Sequence, residues 1–379
     1  MANISDLSRD EWMLSGPLAK KGYDWWWHSF TATSEKTGKR KAFYIEFFTC
    51  NPAWSKEIPV ICWNNSEAAD KKERPSYVMI NVGFWGKEHG QLHNFYSWKD
   101  VTIEKGIPFG IQAGECSLSE TRTQGNVRVT PQQVKEHPEW MSDAGEMEWD
   151  LQIFKQVAYH VGYGANAFFR KLNAFEMFWH AEGMKTLYEG YVILNGEKYI
   201  VSSEDSYGYA DKNWGGNFTS PWVWLSSNNL KSAKTGLTLK NSVFNIGGGR
   251  PKAFGIALNR KLLGEFWYEG KDYEFNFSKF WTFSRTKFHC TETDTEILWD
   301  VVQKTSCYEL VTHIVCNKDE MLLINYEAPD GTKKHNRLWN GGTGKGVLYL
   351  YKRNLFGKAT LIDKIYARNI GCEYGEYDN

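Results

Sequence analysis

Hydrophobic and polar residues alternate with a period of two in most segments of the chain that show a regular pattern. The clearest examples are residues 42–49, 77–85, 147–157, 221–225 and 347–352. Because successive side chains of a β-strand point to opposite faces of the sheet, this alternation predicts strands. The pair Asn195-Gly196 separates two such segments and predicts a tight hairpin. The chain is therefore predicted to be an antiparallel all-β protein.

One segment near the middle of the chain departs from this pattern. Between residues 164 and 183, Phe168, Leu172 and Phe175 recur at the three- and four-residue spacing that is typical of a helix. This segment separates two runs of strands, so we expect two domains, residues 1–183 and 184–379, joined by a short helical or irregular connector. Strands this rich in aromatic residues favour closed sheets, so each domain is predicted to be a β-barrel.

Charge and composition narrow the range of partners. The chain has 379 residues with 45 basic and 45 acidic side chains, and this balance disfavours nucleic acid as a partner. No stretch approaches the roughly 20 apolar residues of a membrane span and no signal peptide is recognisable, so we expect a cytoplasmic protein. The seven cysteines are scattered without a Cys-x-x-Cys pair, which indicates neither a disulfide framework nor a zinc cluster.

Two motifs that hold metals or nucleotides in other proteins do not fit this chain. His89 and His93 are four residues apart, but the glycines beside them do not support the helix that would bring both rings to one metal ion. Residues 340–346 (NGGTGKG) lack the Ser or Thr and the following helix of a phosphate-binding loop. We therefore expect no metal and no cofactor.

Two segments combine large aromatic rings with polar groups. Residues 22–30 (GYDWWWHSF) contain three consecutive tryptophans, and residues 207–229 (YGYADKNWGGNFTSPWVWLSSNN) place charged and amide side chains among further tryptophans. Buried polar groups are costly unless they are hydrogen-bonded or face a ligand. Two interpretations remain open: a structural core with tight turns, or the wall of a pocket for a hydrophobic or planar ligand.

These two segments resemble known protein families. Asp24-Trp25-Trp26-Trp27, followed by a turn with glycine and by residues 43–48, resembles the opening of lipocalin-like proteins that include carotenoid 1,2-hydratases. Residues 210–228 (ADKNWGGNF and WVWLSSN) resemble the signature of the tocopherol cyclase-like family, and this match is the more specific. The resemblance implies two lipocalin-like barrels and cofactor-free proton chemistry on an isoprenoid or phenolic substrate. Departures from the pattern at Thr219-Ser220, Ser226-Ser227 and Trp27 affect the expected substrate more than the expected fold.

We therefore expect a cofactor-independent isomerase, an intramolecular lyase of the cyclase type, that acts on a hydrophobic phenolic, flavonoid-like or isoprenoid small molecule. The candidates for proton transfer or for polarising a substrate oxygen are His28, Glu46, His180, Asp211, Lys212 and Asn213. The candidates for substrate binding are Trp25, Trp26, Trp214, Trp222, Trp224 and Asn228.

Three alternatives remain: a hydratase of the same substrate class, a non-catalytic carrier of a hydrophobic small molecule, and a structural protein whose tryptophans are core. An enzyme should contain a buried His or carboxyl group with a perturbed pKa, whereas the pocket of a carrier needs few titratable groups.

Overall fold

The structure, a computed structural model, describes residues 6–62, 73–161, 167–250, 252–253, 256–257, 259–354 and 358–376. Most of this described chain forms β-strands, which pair in antiparallel fashion into two large sheets. Each sheet curls round a hydrophobic core of its own. The prediction of an all-β protein with two antiparallel β-barrels is confirmed.

The first barrel is a 12-stranded sheet. Its strands, in chain order, are β1 (Tyr23–Ser34), β2 (Arg40–Cys50), β3 (Tyr77–Trp85), β4 (Gly90–Tyr96), β5 (Val101–Glu104), β6 (Gly110–Ala113), β7 (Cys116–Ser119), β8 (Arg122–Val129), β9 (Gly145–Tyr159), β10 (Met177–Leu194), β11 (Glu197–Val201) and β12 (Gly208–Gly215). Strand β1 lies inside this sheet, with β2 on one side and with β11 and β12 on the other.

The second barrel is an 11-stranded sheet, accompanied by the small hairpin of β16 and β17. The strands of this part are β13 (Trp222–Ser227), β14 (Asn229–Ser232), β15 (Val243–Gly249), β16 (Lys252–Ala253), β17 (Ile256–Ala257), β18 (Lys261–Tyr268), β19 (Lys271–Phe275), β20 (Arg285–Glu292), β21 (Glu296–Lys304), β22 (Tyr308–Asn317), β23 (Leu322–Glu327), β24 (Lys333–Arg353) and β25 (Ala359–Gly375).

Helices are few and short. The α-helices are α1 (Pro131–Glu136) and α2 (Ala167–Lys171), and the 3-10 turns are Leu7–Arg9, Gly16–Ala19, Pro52–Trp54, Trp98–Asp100, Pro138–Trp140, Phe280–Thr282 and Lys318–Glu320. None of the helices in the described ranges has the length and hydrophobicity that crossing a membrane requires.

The predicted connector is only partly helical. Residues 164–166 lie outside the described residues, α2 has five residues, and Asn173 leaves the helical region with a φ of 45°. From Met177 onward the chain is strand β10, because pairing with β12 buries Phe178 and Trp179. The predicted helix was therefore too long, because the helical spacing of the aromatic residues continues into a segment that forms a strand.

Strand β10 also runs through residue 183, where the domain boundary was expected. The predicted Asn195-Gly196 hairpin joins β10 to β11, and both of its residues have positive φ, 49° and 83°, as a two-residue hairpin turn requires. Because β11 and β12 pair with β1, the first sheet continues to Gly215, and the second sheet begins at Trp222.

The two barrels pack against each other through a third hydrophobic cluster. It contains residues from both sheets, among them Trp27, Tyr44 and Phe48 from the first and Trp222 and Trp224 from the second. Several polar side chains face this interface between the barrels, and they form the candidate site.

Candidate functional site

The alternation of side chains along β1 and β12 sorts the residues of the two aromatic segments onto two sides of the first sheet. Trp27 pairs with Asp211 and Trp25 with Asn213, and all four side chains face the second barrel. The intervening side chains point into the first barrel: Trp26, His28, Lys212 and Trp214. The consecutive tryptophans therefore belong to two different environments.

A cavity lies between the two barrels. It is lined by aromatic, acidic, amide and apolar side chains: Trp25, Trp27, Met177, Asp211, Asn213, Trp222, Trp224, Tyr326, Leu338 and Glu373. The space between these lining atoms, counted to its opening, measures about 430 Å³, but the centre of a water molecule reaches only about 20 Å³ of it. The space is therefore narrow, and a substrate larger than water has to push the lining side chains apart.

Asp211 is the acidic residue whose geometry best suits proton transfer. Its Oδ2 accepts hydrogen bonds from Trp179 Nε1 and Tyr209 Oη, each at 2.8 Å, whereas its Oδ1 has no hydrogen-bond partner among the described residues. Because Oδ2 is occupied by donors, a proton on this carboxyl group resides on Oδ1.

The surroundings of Asp211 also raise its pKa into the physiological range. Burial raises the pKa of Asp211 to about 7, and repulsion from Glu373 adds to the rise. Hydrogen bonds from Tyr209 and Trp179 lower the pKa of Asp211. The side chain of Trp25 lowers it as well, although its geometry does not give Oδ1 a hydrogen bond. Asp211 is therefore present in both protonation states near neutral pH.

Two further carboxyl groups lie in or beside the cavity. Glu46 Oε2 accepts a hydrogen bond from Asn81 Nδ2 at 2.8 Å, and burial, reinforced by repulsion from neighbouring carboxylates, raises its pKa to about 8. Glu373 accepts hydrogen bonds from Trp222 Nε1 at 2.5 Å and Asn340 Nδ2 at 2.6 Å, and burial raises its pKa to about 7. Burial is the largest cause of the raised pKa in all three carboxyl groups.

The comparison with protein families agrees with the second sequence motif, residues 210–228. The family model described as tocopherol cyclase-like matches residues 73–375. The chain belongs to the tocopherol cyclase-like family. The predicted resemblance to this family is thereby confirmed, and membership supports an enzyme of the cyclase type. A search of the curated proteins found no match.

Solved structures with a similar course of the chain include two with very low sequence identity to this tocopherol cyclase-like protein. Kievitone hydratase from Nectria haematococca is 10% identical, with a TM-score of 0.47, and the comparison covers 100% of this chain and 97% of that one. The protein CghA is 9% identical, also with a TM-score of 0.47, over 95% of this chain and 90% of that one.

Within this tocopherol cyclase-like protein, the two candidate histidines lie away from the cavity. His28 Nδ1 is 2.8 Å from Tyr188 Oη, and burial lowers the pKa of His28 to about 3, so its imidazole is neutral at physiological pH. His180 Nδ1 is 2.7 Å from Asp10 Oδ1, and burial lowers its pKa as well. The structure does not bring either ring to the side chains that line the cavity.

Lys212 and two of the candidate tryptophans also belong to the interior of the first barrel. Lys212 forms a fully buried ion pair with Asp24, and its Nζ lies 3.6 Å from the centre of the Trp26 ring. Burial lowers the pKa of this lysine, and the carboxylate partner opposes that shift. Trp214 stacks on Phe178 with ring centres 5.4 Å apart. These contacts give the three residues structural roles.

The candidates on the second barrel are divided between the cavity and its frame. Trp222 and Trp224 line the cavity, and Trp224 Nε1 donates to Asn245 Oδ1 at 3.1 Å. Gly371 leaves room for the Trp224 ring, because a Cβ at this position would lie 2.3 Å from it. Asn228 lies elsewhere and donates to the carbonyl of Gly208 at 2.8 Å, which links the second barrel to β12.

One cluster of carboxyl groups among the described residues has the spacing of a metal site. Ligand atoms of Asp10, Glu120 and Glu182 lie within 4.8 Å of one another. The Nζ of Lys155 is 2.7 Å from Glu120 and 2.8 Å from Glu182, so the ammonium group occupies the position that a metal cation would take. The cluster is therefore a buried salt bridge inside the first barrel.

Sequence reasoning missed several residues of the site. Tyr326, Leu338 and Glu373 come from strands of the second barrel that are distant in sequence, and no local motif marks them. Trp27 was noted only as a departure from the family pattern, although it lines the cavity. The alternation of residues 23–34 shows that Trp25 and Trp27 share a face, which is the one signal that could have paired them.

Proposed function

We propose that the cavity between the barrels is the active site of a cofactor-independent cyclase in which Asp211 is the general acid. The observation that carries this proposal is the asymmetry of a carboxyl group that lines the cavity: two donors hold Oδ2, whereas Oδ1 has no hydrogen-bond partner in the described parts of the chain. A pKa of about 7 supplies both the protonated donor and the carboxylate acceptor near neutral pH.

The reaction balances without an external reagent. Asp211 transfers its Oδ1 proton to one carbon of a substrate alkene, and a C–H bond forms while the other alkene carbon becomes electron-poor. A hydroxyl oxygen of the same substrate bonds to that carbon and closes the ring. The hydroxyl proton returns to the Asp211 carboxylate, so the product is an isomer of the substrate and the enzyme is regenerated.

The walls of the cavity suit a cationic stage of this reaction. Trp25, Trp27, Trp222 and Trp224 present aromatic rings, whose faces attract positive charge. Glu46 and Glu373 lie in the same environment and can carry negative charge while the cation exists. A hydrophobic phenolic, flavonoid-like or isoprenoid substrate would fit walls of this composition.

A second candidate is the hydration of the same alkene. The accessible space of about 20 Å³ is enough for one water molecule, which requires roughly 10–15 Å³ by this measure. If this water bonds to the electron-poor carbon in place of the substrate hydroxyl, the product gains one water and no ring forms.

The test is to incubate the purified protein with prenylated quinols, chalcones, carotenoids and enone lipids and to analyse the products by mass spectrometry. A shifted product of unchanged mass supports the cyclase, and a gain of 18 mass units supports the hydratase. Asp211→Asn keeps an oxygen for Trp179 and Tyr209 but loses the acid, so it should lower kcat by about 10²–10⁴-fold.

The matched control is Asp300→Asn, which changes an exposed carboxyl group on the second barrel and should leave kcat unchanged. Saturable quenching of tryptophan fluorescence without any product, in wild type and Asp211→Asn alike, would replace the enzyme proposal by that of a carrier.

A further inference from the structure

Two hydrogen-bond donors of the cavity have no partner among the described residues. They are Nε1 of Trp27 and Nδ2 of Asn213, both buried and both belonging to residues that line the cavity. A buried donor without an acceptor loses the hydrogen bond that it makes to water in the unfolded chain, which destabilises the folded protein. Because native proteins rarely leave such groups unsatisfied without a functional reason, these donors call for an acceptor that the substrate supplies.

Both donors are held in place by their neighbours. The ring of Trp27 stacks on Tyr44, with centres 4.6 Å apart and planes 9° apart. The Oδ1 of Asn213 accepts a hydrogen bond from Tyr23 Oη at 2.8 Å, which fixes the direction of its NH₂ group. Donors fixed in this way before the ligand binds lose little freedom when it does.

The register of the sheet places the two donors beside the general acid. Trp27 is the partner of Asp211 across β1 and β12, and Asn213 follows Asp211 by two residues on the same face. When Asp211 is protonated, its Oδ1 is a third donor in this region. The three groups together offer hydrogens and no free acceptor, so they suit a ligand oxygen that accepts hydrogen bonds.

We propose that Trp27 and Asn213 bind the carbonyl oxygen of an enone, so that the substrate hydroxyl adds to its β-carbon while Asp211 gives its proton to the α-carbon and receives the hydroxyl proton. This inference rests on the proposed function, because it takes the reaction to occur in this cavity. A neutral oxygen fits better than a carboxylate or phosphate, since the burial that raises the pKa values of Glu46 and Glu373 disfavours any anion there. The substrate class is thereby narrowed from hydrophobic alkenes in general to conjugated ketones.

The test compares two probes that differ only at the carbonyl group: chalcone, and 1,3-diphenylpropene, in which CH₂ replaces C=O. Dissociation constants of the full-length protein are measured by quenching of tryptophan fluorescence, without turnover. Two hydrogen bonds predict that the wild type prefers chalcone by about 10–100-fold. Trp27→Phe and Asn213→Ala should each reduce this preference by about 3–10-fold.

Two control variants separate the hydrogen bonds from general damage to the cavity. Trp224→Phe shortens another cavity tryptophan whose Nε1 is already bonded to Asn245, so it should weaken both probes equally. Tyr23→Phe and Asn213→Ala both remove the hydrogen bond from Tyr23 Oη to Asn213 Oδ1. Only Tyr23→Phe keeps the NH₂ group of Asn213, so this variant should retain most of the preference for chalcone. Circular dichroism and thermal unfolding show which variants fold.

Equal affinity of the wild type for the two probes, or no binding of chalcone, would overturn the enone assignment even if a variant fails to fold. A preference that Trp27→Phe and Asn213→Ala leave unchanged would overturn it as well. Turnover that depends on Asp211 without any preference for the ketone removes this inference alone. A preference for the ketone without turnover of any substrate removes the proposed function and leaves the binding site.

Discussion

Replacing Lys212 by methionine tests whether this residue stabilises the first barrel or takes part in catalysis. The side chains of Lys212 and Asp24 are fully buried, and the ammonium lies 3.6 Å from the centre of the Trp26 ring. Removal of one partner of a buried ion pair costs about 3–5 kcal/mol, because the other charge loses its compensation. Methionine keeps most of the alkyl packing, so we expect Lys212→Met to lower the free energy of unfolding by about 3–5 kcal/mol at pH 8.

This loss should depend on pH, because Asp24 carries the charge that remains. Burial raises the pKa of Asp24 to about 6 even though Lys212 opposes the shift. Without the ammonium, the folded-state pKa rises further, while the unfolded chain keeps an ordinary Asp. A group with a raised folded-state pKa stabilises the protein fully below its unfolded pKa and loses this effect as the pH rises through the folded pKa. The destabilisation should therefore be larger at pH 8 than at pH 5.

The assay is urea unfolding, followed by tryptophan fluorescence at both pH values. The control is the double variant Asp24→Asn/Lys212→Met, which removes both charges and should recover at least half of the lost free energy. A loss below about 1 kcal/mol at pH 8, the range of exposed ion pairs, would refute the reasoning. So would a loss of turnover in a variant as stable as the wild type.

Three other predictions concern residues of the site and its surroundings. Burial raises the pKa of Glu46 to about 8, so the folded protein keeps a proton that the unfolded chain releases, and the free energy of unfolding should fall by up to about 1.4 kcal/mol per pH unit between pH 5 and pH 8. Glu46→Gln should flatten this slope in urea titrations at several pH values. An unchanged slope would contradict the burial of Glu46. Gly371→Ala, whose Cβ would lie 2.3 Å from the Trp224 ring, should lower stability by about 1–3 kcal/mol, and an unchanged Tm would contradict this packing. His28→Gln should retain kcat within about twofold. A loss of about 10²–10⁴-fold, as expected for a residue that transfers a proton, would return His28 to the mechanism.

The architecture could be predicted from the sequence because it depends on local patterns. Alternation predicted the strands, and Asn195-Gly196 predicted a hairpin that is present with positive φ at both residues. The position of that hairpin in the first sheet was not predictable, since β11 and β12 join this sheet by pairing with β1, more than 150 residues earlier in the chain. Such non-local pairing leaves no mark in the local sequence.

The candidate site could be predicted only in part for a related reason. Trp25, Trp26 and Trp27 are all large and aromatic, so their composition does not show which face of β1 is turned to the barrel interior. A shift of one residue exchanges the two faces of a strand, and the same ambiguity placed Lys212 beside Asp211 among the candidates. Glu373 reaches the cavity only through the packing of the second barrel against the first.

The central claim, that Asp211 protonates a substrate carbon, is tested most directly by the mass of the product formed in D₂O. The exchangeable proton of Asp211 is then deuterium, and the proposed reaction places it in a C–D bond that survives transfer back to H₂O. We expect a product one mass unit heavier than that made in H₂O, and almost no product from Asp211→Asn. A product of unchanged mass, formed equally well by Asp211→Asn, would contradict the account.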